Sequence, residues 1–173
     1  LLRRIKGFSL FELVLVLTMI GVLIAIAIGR LPAWQALAER TAMESVAGSL
    51  RSALGIKVAS YIARNDMAGI RALEGTNPME QLSEIPGNYA GVRSGTDTLT
   101  VEAGQWYFDA AARQLVYRVR NVEFLNTAAG PAEVRFAVQL VFEDRNRNGV
   151  YEPGRDRLEG VRLAETKSYS WPN

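Results

Sequence analysis

From Phe8 to Gly29 the chain reads FSLFELVLVLTMIGVLIAIAIG, 22 residues with one ionisable side chain, Glu12. A helix of that length covers roughly 33 Å at ~1.5 Å per residue, close to the ~30 Å hydrocarbon thickness of a bilayer. Val, Leu and Ile occupy every side of the 3.6-residue period, so no polar face marks an ordinary amphipathic surface helix. The run therefore predicts a membrane-spanning helix. Arg3, Arg4 and Lys6 precede it and hold the amino end in the cytoplasm by the positive-inside tendency. A secretory signal has a shorter apolar core, roughly 7 to 15 residues, followed by a small-residue cleavage site, whereas this run is longer and continues into a helical pattern. A plain anchor fits the length but leaves Glu12 unexplained. A carboxylate at the centre of a spanning helix costs ~2.5 to 3.5 kcal/mol on insertion scales, less near an end, so a counter-charge is expected.

The 173 residues suit one domain of ordinary size plus this extra piece. Lys and Arg number 20 against 18 acidic residues, and a net charge of +2 is too small to argue for a nucleic-acid partner. There is no Cys and no His, which removes thiol nucleophiles, Ser-His-Asp triads and the usual zinc ligands, while leaving the redox compartment open.

The stretch KGFSLFELVLVLTMIGVL, residues 6–23, resembles the prepilin signature of the type IV pilin superfamily. It has a basic leader ending in Gly, an aromatic residue after it, Glu five positions past the cut, and then an apolar helix. The resemblance covers about the first 30 residues. It implies that residues 1–7 are a leader removed by a membrane-embedded prepilin peptidase, with Gly7 its last residue. Phe8 then becomes the N-methylated first residue. It further implies that Glu12 of one subunit meets the Phe8 amine of a neighbour when subunits stack, two charges that are each costly in lipid becoming a pair in a low-dielectric core. Many members have Pro at the twenty-second mature position; here that place is Gly29, and Pro32 follows, which predicts a kink or melted stretch around Gly29 to Pro32.

Beyond residue 32 a soluble globular domain, 33–173, is expected. From Ala33 to about Arg64 the spacing is helical, with Met43, Val46, Leu50, Leu54, Val58 and Tyr61 or Ile62 forming one stripe that needs a sheet to cover it. Asn65 to Gly95 reads as a connecting region with one short helix around Met79 to Ser83, and Asn77-Pro78 and Pro86-Gly87 are turn signals. Gln105 onward reads as a hairpin turning near Asp109 to Arg113. Alternation over Val134 to Phe142 and a closing strand at Gly160 to Thr166 complete a roughly four-stranded antiparallel sheet. The expected fold is α+β, one long helix packed on that sheet, a pilin-like arrangement. Trp106, Tyr107, Phe108 and Trp171 have the types of a nucleic-acid stacking platform, but their weakly basic surroundings favour core packing.

Asp144, Asn146, Asn148 and Gly149, followed by the Val150 carbonyl, match the opening of a calcium loop. Glu152 stands at the ninth place, Arg155 where an EF-hand has its Glu, and Asp156 one place later. Arg145, Arg147 and Arg155 oppose the negative charge, so the pattern predicts a structural calcium site of the weak extracellular class, roughly 10⁻⁴ to 10⁻³ M. The competing reading is an Asn/Gly-rich turn, which uses the same residues for its own backbone hydrogen bonds. The same loop could place Asp144 and Asp156 for acid/base work, though its Asn content suits a cation better.

Together these imply a non-enzymatic filament subunit, waiting in the bacterial inner membrane with its globular domain in the periplasm until an assembly platform moves it into a pseudopilus or pilus with other copies or other pilins. The calcium-like loop tilts the reading toward a type II secretion pseudopilin or minor pilin. A major pilus subunit, and a membrane-tethered enzyme or calcium-binding module, remain the alternatives.

Overall fold

The computed structural model describes residues 8–127 and 131–171. Helix α1, Leu10–Ala63, is 54 residues long, about 80 Å end to end. It divides by sequence pattern. Leu10 to Gln35 is exposed throughout, whereas Ala36, Met43, Ala47, Leu50 and Leu54 are buried at helical spacing, with Val46, Val58 and Tyr61 packed beside them. Ile62 is 50% exposed, so Tyr61 ends the stripe. The helix is uninterrupted through Gly29 and Pro32, contrary to the expected melted stretch. Proline removes one backbone donor, and a single lost bond in a helix this long leaves ample neighbouring bonds to carry it on.

Arg64 and Asn65 end α1, Asn65 turning the chain at φ 55°. Asp66 caps the short α2, Met67–Ala72, by accepting from the Gly69 N–H at 2.8 Å. Asn77 does the same for a 3₁₀ turn, Pro78–Gln81, with proline at its first position. The sheet strands follow: β1, Tyr89–Arg93; β2, Trp106–Asp109; β3, Gln114–Arg118; then the two-residue β4, Asn126–Thr127; β5, Glu133–Glu143; β6, Arg157–Glu165; and β7, Tyr169–Ser170.

The main sheet runs β1-β2-β3-β5-β6, antiparallel except for the parallel β1-β2 pair, and β4 pairs with β7 separately. It has five strands rather than four. The additional one, β1, lacks a hairpin partner in sequence and carries Gly91 at φ 89°, next to a register shift, so neither alternation nor a tight turn marks it. The expected β2-β3 hairpin is present, its turn held by Asp109 Oδ1 accepting from the Ala111 and Ala112 N–H groups, both at 3.1 Å.

The α1 stripe lies on one face of this sheet, against Trp106, Phe108, Leu115, Tyr117, Val134, Phe136, Val138 and Leu163. The Trp106 ring centroid is 4.9 Å from that of Tyr117 and 5.8 Å from that of Phe136, in tilted arrangements that aromatic pairs favour. These aromatics pack the core. Tyr107 and Val116 point to the opposite face and form a second, small cluster with Val101. Beside it, Arg135 reaches Glu133 at 2.7 Å and Asp109 at 3.4 Å, and the Tyr107 hydroxyl donates to Glu133 at 3.2 Å. Burial, reinforced by the Glu133 charge, pushes the Tyr107 phenol up to about 12.

Candidate assembly site

The first turn of α1 begins at Ser9, whose extended backbone stops the helix and whose Oγ accepts from the Glu12 N–H at 3.2 Å. Ser9 is thus the N-cap and Glu12 the third helical position, one half of an S-x-x-E capping box. A carboxylate there also meets the positive end of the helix dipole. Glu12 therefore has a local reason to stand where it does, legible in the sequence as SLFE. Among the described residues it forms no ion pair with a basic side chain. Phe8, 69% exposed, lies just outside the helix. The cut position Gly7 and the leader 1–7 lie outside the described residues.

Downstream of this cap the surface is continuously apolar. An 18-residue window of α1 has mean hydropathy 2.8 and none of it is buried, so one helix is long and apolar enough to span a membrane. An apolar surface of this extent is far more than a soluble monomer leaves open to water.

The hinge between the bare and the covered halves is Glu39. Its Oε1 accepts from the Tyr117 hydroxyl at 3.0 Å and from the Arg120 N–H at 2.6 Å. Its Oε2 accepts from the Asn121 N–H at 2.9 Å and the Asn121 Nδ2 at 2.6 Å. Four bonds from one carboxylate tie the helix to the chain leaving β3. Burial first, and the Glu39 charge second, push the Tyr117 phenol above its ordinary range, so it stays a donor. In the sequence Glu39 is one polar residue ahead of the stripe positions, with nothing in the pattern to set it apart.

The loop between β5 and β6 corrects the calcium expectation. Among the described residues no group of three or more His, Cys, Asp or Glu side chains converges to hold a metal ion. The side-chain oxygens of the proposed ligands face donors of their own loop, most of them backbone N–H groups. Asp144 accepts from the N–H groups of Arg147 at 2.6 Å and Gly149 at 2.7 Å, and Asn148 Oδ1 accepts from the Val150 N–H at 2.8 Å. Asn146 turns its amide to Glu152 at 2.7 Å, Glu152 also pairs with Arg155 at 3.1 Å, and Asp156 accepts from the Arg145 and Glu152 N–H groups at 3.2 and 2.8 Å. This is the hydrogen-bonded turn, with Arg147 at φ 60° and Gly149 at φ 76°. The bond from Gly149, then those from its neighbours, hold the Asp144 carboxyl below its usual range.

A long N-terminal helix, apolar in its first part and packed in its second on a mainly antiparallel sheet, is a pilin-like architecture. Comparison of the chain with protein-family models, with curated proteins and with solved structures found no match. The architecture is thus drawn from the chain's own geometry.

Proposed function

We propose that this chain is a structural subunit of a type IV pilin-like filament. It is cut after Gly7, methylated on Phe8 and assembled through the apolar half of α1. The observation that carries this reading is the wholly uncovered apolar window on a helix whose second half is well packed. Such a surface needs lipid before assembly and the helices of other subunits after it. In the filament the Glu12 carboxylate of one subunit neutralises the Phe8 amine of another, which selects subunits in register. The proposal assigns no catalytic chemistry to the chain. It covers pilus and pseudopilus alike, because the preference for a pseudopilus rested on the calcium loop.

Mass spectrometry of the protein from cells with an active prepilin peptidase tests the processing step. The expected mass lacks residues 1–7 and gains one methyl group; an intact leader contradicts the proposal. The Ser9 to Glu12 cap favours a second reading, a plain tether in which Glu12 only starts the helix. That reading expects assembly and function to be indifferent to the charge at Glu12.

A further inference from the structure

At the junction of the two halves of α1 the globular domain shows an apolar end. Trp34 is 65% exposed and Leu37 60%, and Val122, in the 3₁₀ turn Val122–Phe124, is 55% exposed. Phe124 and Trp171 face the same turns of α1 across a groove of about 490 Å³. The β4-β7 pair brings Trp171 there by tying the last described strand to the segment just after that 3₁₀ turn. Aromatic and aliphatic groups from three separated parts of the chain thus meet along one side of the helix, with Arg40 and Glu123 at the same groove.

That level is set by the rise of the helix. With Glu12 set at the hydrocarbon edge, where a carboxylate costs less than at the helix centre, the twenty residues from Leu13 to Pro32, at ~1.5 Å each, fill the ~30 Å layer. Glu12 then lies in one headgroup layer and Trp34, about 3 Å past Pro32, in the other. Arg30 falls two residues inside the hydrocarbon edge, where a long basic side chain turns its charge outward to phosphate. Leu37 stands about 7.5 Å beyond Pro32, near the outer limit of the headgroup layer. Tryptophan and other amphipathic rings concentrate at this depth because one part of the ring prefers hydrocarbon and another prefers water.

We propose that Trp34, Leu37, Val122 and Phe124, backed by the half-buried Trp171, form an interfacial foot, which sinks into the lipid headgroup layer on the far side of the membrane from Glu12. Its occupant is phospholipid. The inference rests on the reading that α1 spans the bilayer, but not on filament assembly. The foot fixes the depth of the unassembled subunit and the seating of its globular domain on the membrane surface.

The absence of native cysteine allows clean single-site spin labelling of the full chain in phosphatidylcholine vesicles. Four exposed positions serve: Ile20→Cys in the apolar half, Leu37→Cys and Val122→Cys in the foot, and Val150→Cys in the β5-β6 loop. That loop shares a groove with Ile62, near the opposite end of α1, through Tyr151. Collision with oxygen, which concentrates in lipid, is compared with collision with a water-soluble nickel chelate. Expected is a preference for oxygen at Ile20→Cys, chelate access at both foot positions well below that at Val150→Cys with oxygen access retained, and full chelate access at Val150→Cys. Foot labels as open to chelate as Val150→Cys, with Ile20→Cys still in lipid, overturn the foot and leave the spanning helix intact. Chelate access at Ile20→Cys overturns both. Foot labels shielded from both reagents mean that another copy, not lipid, covers this surface, and also overturn the proposal.

Discussion

The two halves of α1 are one continuous helix with opposite solutions to the same problem. From Ala36 onward the apolar residues fall on a stripe, and the chain's own sheet covers it. Before Ala36 they fall on all sides, and nothing else in the described chain covers them. A stripe needs one partner surface, which a sheet supplies. A fully apolar cylinder needs partners all round, which a domain of this size does not have to give. The difference teaches that half of this helix is built for its own fold and half for what surrounds the molecule.

Truncation on either side of the boundary sharpens that contrast. Leu50 is fully buried, and Leu50→Ala should cost about 2 to 5 kcal/mol of domain stability through lost burial and a residual cavity. Leu17, 58% exposed, makes no such contribution, so Leu17→Ala should leave thermal unfolding of the domain unchanged in the same membrane-mimetic preparation. Equal losses at both sites would break the division.

Glu39 marks the border. Glu39→Ala leaves the Arg120 and Asn121 N–H groups without their acceptor, and should cost about 2 to 3 kcal/mol. Denaturant unfolding of the full chain measures it. A loss within a few tenths of a kcal/mol would mean that the stripe alone holds the helix to the sheet.

A further effect, no larger, is expected from alkali in the covered half. The Tyr107 phenol is raised to about 12 by burial in the folded chain, against 10.0 ordinarily. Folding thus favours its protonated form. That contribution is fully present below about pH 10, the unfolded value, and is lost as pH rises toward the folded value. Tyrosinate absorbance, read as the difference from Tyr107→Phe, together with thermal unfolding across this window should show late ionisation and falling stability; a Tyr107 titration midpoint at about pH 10 without loss of stability would contradict the buried position.

The two halves also differ in how legible they were. Periodicity exposed both: all-round apolar residues before Gly29, and a stripe from Met43 to Tyr61 whose burial the structure shows. The β2-β3 hairpin and the long β5 strand were legible from alternation. Glu39 was not, because its partners lie about 80 positions away and two of them are backbone N–H groups, which leave no trace in residue identity. The β5-β6 loop failed for another reason. Calcium loops and Asx-type turns use the same Asp, Asn and Gly, and what separates them is whether the oxygens converge on a point or turn to N–H groups of the loop. Here Asp144, Asn148 and Asp156 turn to N–H groups.

The central claim is that the Glu12 charge serves a neighbouring subunit and not only its own helix. Glu12→Gln separates these roles, since glutamine fills the third position of a capping box as glutamate does and forgoes only the dipole interaction, about 0.3 to 1 kcal/mol, along with the charge. The measurement is filament yield from cells making Glu12→Gln at normal levels, with membrane insertion checked in parallel. The account predicts normal insertion and loss of filaments; wild-type filament yield would contradict it.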